Sequence, residues 1–178
     1  IATYTAASFP ERISQLVLIE GIGILASPPA EVPQVLRKAV EEMKKAGAKR
    51  KPVYESRNEA IEARSQAIGG ISLDAAAILC SRGLEVADNG FTWRSDSRLR
   101  MSSSLWLTEE LVQGFLAALS MPVLLIRGEQ SFLANSQTLQ ERARSGAHCQ
   151  LVSLPGNHHL HLEAASYEAV AGAIQAVL

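Results

Sequence analysis

The 178-residue sequence has few cysteines, no long apolar run and almost no net charge. Its two cysteines, Cys80 and Cys149, lie far apart without C-x-x-C spacing, so no zinc or redox framework is encoded and we expect both thiols to be buried and inert. The formal net charge of −1 gives no reason to expect a nucleic acid or an anionic membrane as a partner.

The sequence also lacks a membrane-spanning run and a signal peptide. We therefore expect no membrane association and a cytoplasmic location. Because Ile1 is not a methionine and the first residues already have a helical pattern, we also expect further chain upstream.

The two ends of the sequence alternate between helix and strand patterns, which is typical of α/β proteins. Short apolar runs bounded by turn signals predict buried strands at 15–20, 123–127 and 149–154. Apolar periodicity and capping residues predict helices at 1–9, from Thr108 onward, near 136–145 and near 165–177.

The middle of the sequence has a different character. Helices are predicted at 34–46, 57–68 and 73–82, the second of them with a capping box formed by Ser56 and Glu59. The pair Asn89-Gly90 then favours a short hairpin. We therefore divide the chain into core residues 1–26, a helical lid at 27–107 inserted between strands of a sheet, and core residues 108–178.

The most distinctive segment is LPGNHHLHLE at 154–163, which lies between the third predicted strand and the last helix. A loop histidine with a near-neutral pKa can take a proton from a hydroxyl nucleophile and return it to a leaving group. The same histidines, His158, His159 and His161, could alternatively bind a metal, but a metal site would need a further ligand nearby. We predict neither a metal nor a cofactor.

Two other segments match functional motifs only in part. Gly70-Ile-Ser72-Leu-Asp74 is the nearest match to the nucleophile motif G-x-S-x-G, but it lacks the closing glycine, and Ser72 is better interpreted as a helix N-cap. The run at 21–26 fits G-x-G-x-x-A, yet Ser27-Pro28-Pro29 follows and cannot continue the helix that a dinucleotide site requires. The sequence therefore contains no recognisable nucleophile elbow.

Three segments together resemble the α/β-hydrolase superfamily. The histidine segment matches the loop that carries the family's catalytic histidine, and IATYTAASFPERISQLVLIEGIG is similar to the helix after the nucleophile elbow and the next core strand. In the predicted lid, Arg82-Gly83-Leu84 and the run from Gly90 to Leu99 resemble the serine hydrolase-like subgroup. The resemblance implies an α/β fold, as the C-terminal part of an α/β-hydrolase parallel sheet with an inserted helical lid.

The resemblance also implies the roles of individual residues. Aligning Glu163 with the acidic residue that follows the family's histidine puts His158 at the catalytic position. The usual acid position in a G-x-x-D pattern is here Ser131, whereas haloalkane dehalogenases and other members place the acid after the strand before the lid, where this chain has Glu20. We assign the acid to Glu20. Two alternatives remain open, namely that Glu129 is the acid or that the site has no acid. Glu20 could then be a buried carboxylate bonded to loop amides.

The activity implied by the resemblance is hydrolysis of an ester or related acyl bond in a small apolar substrate, with a serine nucleophile upstream of the chain. One alternative is an aspartate nucleophile, as in haloalkane dehalogenases and epoxide hydrolases. Another is an inactive hydrolase fold that serves as a binding protein, which Ser131 motivates. The expected partners are the substrate and the N-terminal half of the same fold, without which we expect residues 1–178 to be inactive and unstable as a monomer. The run Arg94, Asp96 and Arg98 is expected to be a structural network.

Overall fold

The computed structural model describes residues 1–46, 51–104, 106–146 and 148–178. Its helices are α1 (Ala2–Ser8), α2 (Val32–Ala46), α3 (Arg57–Ser65), α4 (Leu73–Gly83), α5 (Glu109–Ala117), α6 (Gln137–Ser145) and α7 (Tyr167–Gln175). Its strands are β1 (Leu16–Ile19), β2 (Leu84–Ala87), β3 (Gly90–Trp93), β4 (Val123–Gly128) and β5 (Cys149–Leu154). The chain divides into two compact units, one of Ile1–Pro29 with Trp106–Leu178 and the other of Ala30–Leu105.

The first unit is built on a parallel sheet with the strand order β1-β4-β5. The three core strands predicted from the apolar runs are therefore confirmed. In the register of the sheet, Ile19 is opposite Ile126 and Gly128 is opposite Leu154. Because all three strands run in the same direction, the loops that follow them meet at one edge of the sheet.

Helices cover both faces of this sheet. Along β4, Val123 and Leu125 point to one face and Leu124 and Ile126 to the other, as the two-residue period of a strand requires. The first face packs against α1, α5 and α6, and the second against α7, whose Val170 is buried there. Full burial of each large aliphatic side chain contributes about 1.5–3 kcal/mol, so the central strand is a main source of the unit's stability.

The second unit contains α2, α3, α4 and an antiparallel hairpin of β2 and β3. The predicted caps are confirmed, because the Ser56 hydroxyl accepts a hydrogen bond from the Glu59 amide and the Ser72 hydroxyl accepts one from the Ala75 amide, both at 3.2 Å. The hairpin is also confirmed, but Gly90 begins β3 and the turn lies one residue earlier than the predicted pair.

One helix is shorter than its sequence pattern predicts. We expected α3 to continue to residue 68, but it ends at Ser65. The cause lies just beyond it, where Gly69 and Gly70 have φ values of 92° and 47° and the amide of Ile71 bonds to the Ser65 carbonyl. These left-handed glycines turn the chain toward α4 before another helical turn can form.

Candidate active site

Glu20 directly follows β1 and has an unusual backbone conformation. Its φ of 64° is in the left-handed region, which a residue with a Cβ adopts at a steric cost of about 1–2 kcal/mol. Its amide donates to the Ile126 carbonyl at 2.8 Å, so the backbone here is fixed to β4. The residue is 6% exposed, so its carboxylate needs hydrogen-bonding partners inside the protein.

Those partners come from the end of β4 and the loop after it. The Gly128 amide donates to Oε1 of Glu20 at 2.5 Å, and the Ser131 hydroxyl donates to Oε2. The Ser131 oxygen in turn accepts a hydrogen bond from the Leu133 amide at 3.0 Å. Ser131, whose identity at this position motivated the inactive alternative, is therefore a donor to the carboxylate of Glu20.

His158 lies in the loop after β5 and contacts the same carboxylate. Its Nδ1 lies 2.7 Å from Oε2 of Glu20, and its side chain is 30% exposed whereas that of Glu20 is 3% exposed. Since a carboxylate only accepts hydrogen bonds, Nδ1 carries the proton in this contact. The second ring nitrogen, Nε2, is then the one able to accept a proton from a nucleophile.

Two glycines allow the histidine loop to lie against the end of β4. A Cβ at Gly128 would come within 2.5 Å of the Gly156 carbonyl oxygen and 2.6 Å of the Asn157 carbonyl oxygen. Gly156 itself has a φ of 129°, which L side chains rarely adopt. Gln130 adds two further links, since its amide donates to the Gly156 carbonyl and its side-chain oxygen accepts from the Gly156 amide.

The structure separates Glu20 from the other acidic candidate. Glu129 is exposed to solvent, and its amide continues the β4–β5 pairing by donating to the Leu154 carbonyl at 2.9 Å. The carboxylate in contact with His158 is that of Glu20. The structure thus brings together the two residues that the sequence predicts as acid and base, Glu20 and His158. The sequence analysis treats Ser131 only as a missing acid and does not predict its hydrogen bond to Glu20.

The neighbouring histidines make edge-to-face ring contacts in the order His158, His159, His161. The ring centroid of His159 lies 5.0 Å from that of His158 and 6.3 Å from that of His161. Within the part of the chain that the structure describes, no group of three or more His, Cys, Asp or Glu side chains could hold a metal ion. Desolvation, and then repulsion from His158, lower the pKa of His161 below its ordinary 6.5, while Glu20 acts in the opposite direction.

Arg142 fixes the loop that follows Glu20. This buried guanidinium donates from Nη1 to the carbonyls of Ile22 and Ile24, at 3.0 and 2.8 Å, and from Nε and Nη2 to the Glu109 carboxylate, at 3.0 and 2.6 Å. The hydrogen bonds from Arg142 to the Glu109 carboxylate lower the pKa of that carboxyl. The loop runs to the 3₁₀ helix Pro29–Glu31 without forming the helix that a dinucleotide site would require.

The same loop borders a cavity of about 600 Å³ in the first unit. Residues Glu20–Pro29, the start of α5 and much of α6 line this cavity. His158 is not among the described residues that line it. The cavity therefore lies beside the acid and does not reach the ring that would transfer the proton.

The charged run in the second unit makes local contacts. Asp96 and Arg98 form an exposed ion pair at 2.7 Å, which lowers the pKa of Asp96 to about 2. The Arg94 side chain donates to the Leu84 carbonyl at 3.1 Å, and Trp93 packs with the buried cluster of this unit. The Arg94 bond joins the end of β3 to the start of β2, whereas the Asp96–Arg98 pair is local to the turn after β3. A network that fixes the hairpin on the core stays a prediction.

Among the described residues, no helix is both long enough and apolar enough to cross a bilayer. No protein-family model matches the chain, and no curated protein matches it. Several solved structures, in contrast, match the chain. The hypothetical protein PA1622 from Pseudomonas aeruginosa PAO1 is 37% identical with a TM-score of 0.91, over 98% of this chain and 62% of that one.

Two of the more distant neighbours have names that describe an activity. The thioesterase domain from the curacin biosynthetic pathway is 22% identical with a TM-score of 0.78, over 98% of this chain and 62% of its own. The M. tuberculosis esterase Rv0045c is 20% identical with a TM-score of 0.63, over 98% of this chain and 58% of the esterase. The chain thus spans about 62% of the first of these structures. The chain has a partial α/β-hydrolase fold, which it shares with these neighbours.

Proposed function

We propose that the full-length protein is a serine hydrolase that cleaves an ester or related acyl bond of a small apolar substrate. The observation that carries this proposal is the 2.7 Å contact between Nδ1 of His158 and the buried carboxylate of Glu20. A carboxylate in this position holds the imidazole in the tautomer that leaves Nε2 free to accept a proton, and it stabilises the imidazolium that follows.

In the proposed reaction, a serine upstream of Ile1 attacks the acyl carbon while Nε2 of His158 removes its proton. The imidazolium then donates that proton to the leaving alcohol or thiol, which leaves an acyl-serine. Water attacks the acyl-serine with the same histidine as base, and the acid product and free serine are released. Glu20 orients the imidazole and stabilises its charged form.

The remaining parts of the fold have proposed roles as well. We propose that the N-terminal half of the same fold supplies the serine and the oxyanion hole, and that the second unit is the lid. Residues 1–178 alone would then be inactive, because they hold the histidine and the acid but no nucleophile elbow. A cytoplasmic location remains part of the same proposal.

A second candidate uses an aspartate nucleophile, as in a haloalkane dehalogenase or epoxide hydrolase. The observation that favours it is the position of the acid, which follows β1 instead of β4. In that reaction, His158 would activate the water that hydrolyses an alkyl-aspartate ester. The two candidates differ in the nucleophile and not in the contact between Glu20 and His158.

The experiment is to treat the full-length protein with a fluorophosphonate probe and to measure turnover of short-chain esters. We expect one labelled serine and ester turnover that His158→Ala lowers by a factor on the order of 10⁶, with His159→Ala as the matched control of small effect. Hydrolysis of a haloalkane or an epoxide without labelling would support the aspartate nucleophile. If the protein is not labelled and turns over none of these substrates, the result would support the inactive alternative and contradict both candidates.

A further inference from the structure

Phe132 is an exposed aromatic residue in direct contact with the proposed catalytic histidine. Its ring centroid lies 4.6 Å from that of His158, with the two ring planes at 42°. The residue is nevertheless 67% exposed. Single exposed apolar residues are common on protein surfaces, but this one presents most of its ring to solvent beside the proposed site of proton transfer.

The backbone on both sides of Phe132 is fixed. The preceding residue, Ser131, is buried and donates its hydroxyl hydrogen to Glu20, and the following residue, Leu133, donates its amide to the Ser131 oxygen. The Ala134 amide also donates to the Ser131 carbonyl at 2.9 Å. The turn that holds the acid of the site therefore also sets the position of the Phe132 ring.

This position makes the ring suitable for contact with a substrate. Nδ1 of His158 contacts Glu20, so proton transfer uses Nε2 of the same imidazole. The leaving-group atom of the substrate, which receives the proton, must therefore lie near Nε2. The Phe132 ring packs against that imidazole and offers an apolar face to whatever lies next to it. Aromatic rings bind alkyl groups by burying apolar surface, which disfavours charged and strongly hydrated groups.

We infer that Phe132 forms an apolar wall of the substrate site and makes the enzyme prefer medium-length alkyl acyl groups over acetyl groups. This inference rests on the proposed hydrolase function. In this inference the Phe132 ring contacts the substrate itself. The alternative is that the ring only supports His158 and does not touch the substrate. Loss of the ring should then lower kcat/KM more strongly as the acyl chain of the substrate becomes longer.

The test compares the full-length protein with Phe132→Ala, Phe132→Leu and the control Phe9→Ala, which removes another exposed phenylalanine at the end of α1. The substrates are p-nitrophenyl acetate, butyrate, hexanoate and octanoate. For octanoate we expect Phe132→Ala to lower kcat/KM at least about ten-fold through KM, with a much smaller change for acetate. Phe132→Leu should retain most of the preference, and Phe9→Ala all of it.

An equal loss of kcat for every chain length, with a shifted pH profile, would overturn the inference, because the ring would then act only through His158. Binding of 2-octanone, an uncleavable ketone, provides a measurement that does not depend on turnover. Calorimetry should show binding that Phe132→Ala weakens about ten-fold and Phe9→Ala leaves unchanged. Equal affinity in the three proteins would refute the apolar wall even if no ester is hydrolysed, and absence of turnover with ring-dependent binding would refute only the hydrolase.

Discussion

Oε2 of Glu20 lies 2.7 Å from Nδ1 of His158, although 138 positions separate the two residues in the sequence. Their contact follows from the topology of the sheet. Glu20 comes after β1 and His158 after β5. Between these parallel strands, the end of β4 provides Gly128 and the loop after β4 provides Ser131 as donors to the carboxylate. The same oxygen of Glu20 thus contacts both the imidazole and the Ser131 hydroxyl.

The Ser131 hydroxyl should affect activity through Glu20. Ser131→Ala removes a donor to a buried carboxylate and leaves the Leu133 amide without its acceptor, so we expect kcat/KM of the full-length protein to fall by about ten-fold. Ser145→Ala is the matched control, because that exposed hydroxyl donates to the Glu141 carbonyl within its own helix, α6. Activity of Ser131→Ala equal to that of the control would show that the hydroxyl does not orient the acid.

Gly128 should not tolerate a side chain. In Gly128→Ala, the Cβ would overlap the carbonyl oxygens of Gly156 and Asn157, so the histidine loop must move away from the end of β4. We expect a loss of about 1–3 kcal/mol in the free energy of unfolding and a clear fall in kcat. Among the described residues, a Cβ at Gly114 in α5 would meet no atom within 4 Å beyond its chain neighbours and the helix's own backbone, so Gly114→Ala should be neutral or stabilising by up to about 1 kcal/mol. Urea denaturation of both variants checks this contrast.

The sequence was sufficient to predict much of this architecture because its local signals agree with the tertiary structure. Largely apolar runs predicted the three core strands. The central strand β4 is covered on both faces and needs no polar alternation, whereas β5 exposes Gln150 and Ser153. Serine caps predicted the starts of α3 and α4 for a similarly local reason. The predicted end of α3 was wrong because two left-handed glycines turn the chain early, and the hairpin turn lies one residue before the predicted pair.

The contacts of the candidate site were less accessible to sequence reasoning. A family resemblance was enough to propose Glu20 and His158 as candidates, but which carboxylate reaches the imidazole depends on strand register and on the left-handed backbone at Glu20. No local pattern marks Ser131 as a donor to a residue 111 positions away. The contact between Phe132 and His158 is likewise produced by tertiary packing.

The pair of Arg142 and Glu109 should give a pH-dependent contribution to stability. The lowered pKa of Glu109 means that the folded protein binds this proton less readily than the unfolded chain does, so the contribution is complete above the ordinary value of 4.5 and is lost as the pH falls through the lowered pKa. At pH about 7 we expect Glu109→Gln to lower the free energy of unfolding by about 1 kcal/mol, since solvent screens this half-exposed carboxylate.

The control for this prediction is Glu110→Gln, at the exposed position next to Glu109 in the first turn of α5. Urea denaturation of both variants over a range of pH should show the difference narrowing as the solution is acidified below pH about 4. A deficit of Glu109→Gln that persists unchanged in acid would contradict an ionic origin.

His161 should report the charges of the site by its own titration. Its imidazole is expected to titrate below the ordinary value of 6.5, as followed by NMR of the ring protons. His158→Gln removes a repulsive neighbour and should raise the pKa of His161, whereas Glu20→Gln removes an attractive one and should lower it further. Shifts in the same direction for both variants would be inconsistent with the arrangement of these charges.

The central claim is that Glu20 is the acid that serves His158. It is tested most directly by kcat/KM for ester hydrolysis in the full-length protein with either Glu20→Gln or Glu129→Gln, which make the same chemical change at the two candidate positions. The account predicts a loss on the order of 10⁴ for Glu20→Gln, as for the loss of the carboxylate in other triads, and little change for Glu129→Gln. Near-normal activity of Glu20→Gln, or a comparable loss in Glu129→Gln, would contradict it.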